Sequence, residues 1–175
     1  RAGGFFGSGE NSGSIGAVTL NLPRLAYLSD DEDDFYRRLD KLMDLAARSL
    51  EVKRSIITKL MNEGMYPYTK RYIQNFDRHF STIGIVGMNE AGLNAAWLRE
   101  GLADLRTRRF AREVLRHMLK RIQSYQVSTG HLYNLEATPA ESTAYRMARE
   151  DKVRYADIIT ASKNGTPYYT NSTNM

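Results

Sequence analysis

The sequence predicts an α/β fold in which parallel strands carry helices packed outside them. Short apolar runs at 15–22, 80–86 and 131–137 alternate with longer stretches of helical periodicity. The second and third runs are followed directly by helix-opening residues, Gly87-Met88-Asn89-Glu90 and Thr138-Pro139-Ala140-Glu141. The composition is that of an ordinary globular domain, with 175 residues, 42% hydrophobic and 26% charged. Three firm strands cannot close a barrel alone. The pattern therefore fits an open doubly wound sheet or part of a barrel, with further strands and helices needed to bury both faces.

Residues 1–14, RAGGFFGSGENSGS, read as a Gly-rich loop. The run IGAVTLNL at 15–22 has the Val and Thr content of a buried strand and stops at Pro23. Ser29 and Glu32 have the spacing of a capping box, which predicts a helix from about 30 to 63. Its apolar stripe is Phe35, Leu39, Leu42, Ala46, Leu50, Ile57 and Met61, interrupted near Lys53 and Arg54. The acidic residues 30–34 suit the positive end of the helix dipole better than a metal, because consecutive helical side chains do not converge. Residues 64–79 read as an aromatic, basic surface loop. Tyr66, Tyr68 and Tyr72 beside Lys70 and Arg71 would alternatively make a nucleic-acid stacking platform.

FSTIGIV at 80–86 predicts the second strand, and Gly87-Met88-Asn89-Glu90 opens a short helix running to about Glu100. A third long helix spans 106–126, with Phe110, Val114, Met118, Ile122 and Tyr125 on its buried face. HLYNLEA at 131–137 predicts the third strand, and Thr138-Pro139-Ala140-Glu141 begins a helix at 140–150. Weaker strand signals lie at 158–161 and 168–170.

Charge and composition narrow the functions. Twenty-five Lys and Arg against 20 Asp and Glu leave a net charge of +5, which suits an anionic ligand and equally a mildly basic surface. The absence of cysteine excludes a disulfide scaffold, a Cys-ligated zinc and a cysteine nucleophile within these residues, and is compatible with a reducing compartment. The three histidines lack metal-ligand spacing, so no metal site is expected. No apolar run approaches a membrane span and no signal peptide is evident. The first residue is Arg1, so the chain reads as part of a longer protein.

In parallel α/β folds ligands gather at the carboxyl ends of the strands. Asn21, Asn89 with Glu90, and the 138–141 turn occupy those positions. Thr138 as N-cap, Pro139 at N1 and Glu141 at N3 make a capping box, while the same helix start offers free amides to a phosphate. Ala140 lies in this turn, and Ser142 and Thr143 add hydroxyls. Glu90 has three open readings: general base, hydroxyl-binding carboxylate or helix-start acid. Asn21, within an apolar strand, needs a partner or a ligand. Tyr169 and Asn171 belong to a polar, aromatic stretch that lines a pocket or frays at an edge. The glycine cluster lacks the Gly-Lys-Ser/Thr ending of a phosphate-binding loop.

Taken together, GSIGAVTLNLPRLAYLS (13–29), YPYTKRY (66–72), HFSTIGIVGMNEAGLN (79–94), TGHLYNLEATPAESTAYRMAREDKVRY (129–155) and PYYTNST (167–173) resemble the anaerobic, class III ribonucleoside-triphosphate reductases. These glycyl-radical enzymes make deoxyribonucleotides. The resemblance implies a central portion of a ten-stranded α/β barrel, spanning 1–175 as one partial domain. It implies a thiyl radical that abstracts the ribose 3′ hydrogen, loss of water from C2′, and formate as reductant. A glycyl radical installed by a radical-SAM activase and a four-cysteine zinc site would lie elsewhere in the full-length chain. The fragment alone would then be inactive. The resemblance makes Thr138, Ala140, Glu141, Ser142 and Thr143 the turn facing the substrate phosphates. Asn21, Asn89 and Glu90 become pocket residues near the ribose or the radical cysteine, and Tyr169 and Asn171 further pocket candidates. A homodimer and a cytoplasmic location are also expected. Another glycyl-radical enzyme of the formate-lyase type, or a non-catalytic nucleotide-binding module, are the alternatives.

Overall fold

The computed structural model describes residues 12–173, so most of the predicted Gly-rich loop lies outside the described residues. The elements run β1 (Gly13–Asn21), α1 (Leu22–Tyr27), α2 (Glu32–Asn62), α3 (Pro67–Ile73), β2 (His79–Val86), α4 (Met88–Asn94), α5 (Leu105–Thr129), β3 (Tyr133–Ala137), α6 (Glu141–Arg154), β4 (Ala161–Lys163) and β5 (Thr166–Tyr168). The three predicted strands form one parallel sheet in the order β1-β2-β3. Asn21 pairs with Val86 and Ile85 with Ala137, so all three carboxyl ends share one edge.

Strand alternation gives the sheet two unlike faces. Leu20, Ile83 and Ile85 pack into a core with Phe35, Leu39 and Met43 of α2 and Phe110, Val114 and Met118 of α5. The other face carries the rows Ala17, Thr82, Asn134 and Thr19, Gly84, Glu136, which are small or polar. The α2–α5 seam is closed at its surface by Asp40, which accepts from His117 Nε2 at 2.6 Å, and by Asp44, which pairs with Arg121.

Several local expectations are corrected. Asp31, not Ser29, caps α2: its carboxylate accepts the Asp34 amide at 2.8 Å, while Ser29 Oγ donates back to Leu25 O. Asp34 is drawn into ion pairs with Arg37 and Arg38. The Arg38 hydrogen bond holds its carboxyl below the ordinary value. Arg54 does not interrupt the α2 stripe but continues it, buried, through hydrogen bonds to Phe76 O, His79 O and Ser81 Oγ. The 64–79 loop contains the short helix α3, none of whose residues is buried. Helix α4 ends at Asn94 rather than near Glu100, where Ala95 takes an extended backbone (ψ 118°), and the Asn94 side chain exchanges two 2.8 Å hydrogen bonds with the Ile159 backbone. The weak strand signals at 158–161 and 168–170 are displaced: the strands lie at 161–163 and 166–168 and form a separate antiparallel hairpin, β4–β5, outside the parallel sheet. Its turn is Asn164-Gly165, both at positive φ (53° and 77°), the hairpin pair that the sequence displays. No helix among the described residues is long and apolar enough to cross a membrane.

Candidate functional site at the carboxyl ends of the strands

Strand β1 ends on Asn21, and helix α1 begins at the very next residue. The Asn21 side chain caps α1, accepting the Arg24 amide at 3.0 Å, while its nitrogen donates to Asp151 Oδ2 at 2.7 Å. Both ends of the amide are therefore engaged within the chain. Asp151, fully buried on α6, also accepts from the Tyr169 hydroxyl at 2.8 Å and pairs with the Arg24 guanidinium. Burial first, and the hydrogen bond to Asp151 second, push the Tyr169 phenol well above its ordinary value, so it stays a donor.

Strand β2 turns into α4 through Gly87, whose φ of 75° favours glycine and whose missing side chain lets Pro23 approach. Gly87 N donates to Thr170 O at 2.6 Å, which seats the 169–171 segment on the tip of β2. Glu90 completes the clasp. Its buried carboxylate accepts both the amide and the hydroxyl of Thr170, each at 2.9 Å, and the Asn89 side chain at 3.2 Å. This geometry engages the Glu90 carboxylate with the 169–171 segment. Asn89 also accepts the Leu102 amide. Asn171 is buried, donating to Tyr169 O and accepting from Thr173 N. Asn89, Thr170 and Asn171 line a cavity of about 530 Å³ over Ile85, Val86 and Ala137.

The turn after β3 departs from the predicted cap. Thr138 is not the N-cap of α6. Its hydroxyl lies over Gly84 and accepts from Thr19 Oγ1 at 3.4 Å, a position that a side chain at residue 84 would occupy. The N-cap is Ala140, which has no side chain able to cap, so the first turn of α6 carries no side-chain cap. Glu141 and Ser142 are exposed there, and Thr143 is partly so. Helices α1, α2 and α5 are each capped by an Asn or Asp side chain. Among the described residues α3, α4 and α6 start without a side-chain cap, and of these α6 alone is longer than seven residues.

The three tips lie side by side but open onto separate depressions of the described residues. Asn21 lines a groove of about 900 Å³ between the outer edge of β1 and α2, Asn89 and Asn171 the 530 Å³ cavity, and Glu141 a small hollow against the β4–β5 hairpin. What joins them is the Asp151 cluster. Sequence patterning did not single out Asp151, although it continues the buried Ala144, Ala148 stripe of α6 with helical spacing. Among the described residues no group of three or more His, Cys, Asp or Glu is placed to hold a metal.

Residues 2–175 match the family model described as anaerobic ribonucleoside-triphosphate reductase. A protein of that description from Haemophilus influenzae is 29% identical over 93% of this chain, which covers 25% of that protein. A crystal structure of the anaerobic ribonucleotide reductase from Thermotoga maritima with citrate in the active site superposes with a TM-score of 0.78. It is 25% identical over 96% of this chain and 33% of that one. A second structure of the Thermotoga enzyme, with dATP bound in the specificity site, matches with the same score. The chain thus spans about a quarter of the length of the curated relative it matches.

Proposed function

The chain belongs to the anaerobic ribonucleoside-triphosphate reductase family, and from that premise we propose that these residues form substrate-pocket wall in an enzyme that converts ribonucleoside triphosphates to deoxyribonucleotides by radical chemistry. The observation that carries the reading is the uncapped start of α6. Its free amides, the Ser142 and Thr143 hydroxyls and the helix dipole suit the substrate phosphates. The ribose would then lie toward the tips of β1 and β2, where Asn21 and Asn89 stand and where Glu90 and Tyr169 fix the surrounding backbone. Glu141 belongs to the same turn, and its charge is compatible with a phosphate only when its exposed side chain points outward.

The domain is one part of a ten-stranded α/β barrel. Support comes from the parallel register, from the polar face opposite the helices, and from the outer edges of β1 and β3, which pair with no strand among the described residues. In the whole enzyme a thiyl radical, generated from a stored glycyl radical, supplies the unpaired electron. With no cysteine, these 175 residues fit neither that role nor a four-cysteine zinc site. Those groups, the activase contact and the site for formate are assigned to the rest of the protein, with a homodimer as its assembly and the cytoplasm as its location.

The test is Ser142→Ala in the intact reductase. Loss of one phosphate hydrogen bond weakens ribonucleoside triphosphate binding about tenfold, or ~1.4 kcal/mol. Unchanged affinity overturns the assignment of the phosphates to α6.

A further inference from the structure

We propose that Asp151 is a positioning residue that fixes the distance between the phosphate end and the ribose end of the pocket. The inference rests on the proposed substrate pocket and adds a residue to it. Asp151 sits ten positions along α6 from Glu141, on the same helix whose first turn is assigned above to the phosphates. Its side chain has no solvent exposure, and every partner it takes comes from another element at the strand tips. Asn21 ends β1, Arg24 lies in α1, and Tyr169 precedes the segment clasped by Glu90. A buried carboxylate is tolerated only when donors and an opposite charge surround it, and here both are present. Removing that charge leaves Arg24 without its partner and frees both Asn21 and Tyr169. The start of α6 then loses its fixed register against β1 and β2.

This arrangement predicts a division of labour between two ends of one helix. Residues at the start of α6 hold the phosphates in ground state and transition state alike, so their loss raises KM. Asp151 touches no substrate and sets alignment, so its loss lowers kcat while the phosphates still bind. Misplacement of a reacting centre by about 1 Å costs on the order of 100-fold in rate.

The experiment uses the intact reductase and compares Asp151→Asn, Tyr169→Phe and Ser142→Ala. Turnover is expressed per nucleotide-binding site, counted by titration with a ribonucleoside triphosphate. Asp151→Asn is expected to lower kcat per site about 100-fold with KM changed less than about threefold. Tyr169→Phe, which deletes one hydroxyl and keeps the fold, is expected to lower kcat a few-fold and to add nothing in the Asp151→Asn background. A purely structural role would reduce the number of sites and leave turnover per site intact, and that result overturns the proposal. Should Asp151→Asn not fold, normal turnover per site in Tyr169→Phe overturns it. If instead Ser142→Ala leaves KM unchanged, the pocket reading itself fails, whatever Asp151 does.

Discussion

The two ends of the parallel sheet both bury charge, and they do so in opposite ways. At the amino ends the buried charge is Arg54, which donates to the main chain of residues 76 and 79 and to Ser81. Its partners lie within 27 residues of it, and its Nε and the neighbouring His79 Nδ1 have none. At the carboxyl ends the buried charges are Glu90 and Asp151. Besides nearer donors, Glu90 accepts from Thr170, 80 residues away, and Asp151 from Asn21, 130 residues away. Arg54 closes a local loop, while at the same end the Glu51 carboxylate reaches His131 and Tyr133, 80 and 82 residues away. What sets the carboxyl end apart is that its long-range acceptors, Glu90 and Asp151, are both fully buried carboxylates.

Three substitutions and one change of pH probe the contrast between these ends. The largest effect is expected from Glu90→Ala, which removes the acceptor of two Thr170 donors and of Asn89. The clasp should lose about 3 kcal/mol. Hydrogen exchange at the Thr170 amide should accelerate about 100-fold, and an unchanged rate would show that Glu90 does not hold the segment. Arg54→Met, similar in volume and apolar, should cost about 2 kcal/mol through the orphaned Phe76 and His79 carbonyls. Its effect should stay at the amino end, with faster exchange of the His79 amide and nucleotide affinity within about twofold of the parent. Equal damage to nucleotide binding would erase the distinction between the two ends.

Gly84→Ala is expected to act next in size. A methyl group there collides with Thr138 Oγ1 and must shift the turn before α6. A drop in kcat/KM of about tenfold would place that turn in the pocket, and full activity would remove it. The smallest effect concerns pH. Burial, and then the Arg54 charge, lower the His79 pKa from 6.5, so the ring is neutral in the fold. The unfolded chain binds the proton first as pH falls. The stabilisation is therefore complete above pH 6.5 and is lost as pH drops from there toward the lowered value. The thermal midpoint should fall across that window, and His79→Gln should flatten the slope. An identical slope in both proteins would mean that His79 does not carry it.

Much of the framework was legible in the residues. The strands, the two long helices and their order come from period and caps, because β1, β2 and β3 are apolar enough to stand out. The departures share a cause. Thr138 reads as a cap because its spacing is right, but its hydroxyl is taken by Thr19 across a glycine that sequence spacing cannot pair with it. Arg54 reads as a break in a stripe because only the folded loop at 76–81 supplies its acceptors. Asp151 does not stand out at all, because its three partners are contributed by other segments. Long-range polar contacts leave no periodic trace, and the carboxyl end of this sheet is built from them. The β4–β5 hairpin is different: its Asn164-Gly165 turn is a local signal, which the strand expectations at 158–161 and 168–170 did not use.

Whether the start of α6 receives the substrate phosphates is decided by a crystal structure of the intact reductase with a ribonucleoside triphosphate bound. Phosphate oxygens are expected within hydrogen-bond distance of the amides at 141–143 and of the Ser142 hydroxyl, with the ribose over the tips of β1 and β2. Phosphates seated away from the start of α6, with that turn left to solvent, would refute the assignment.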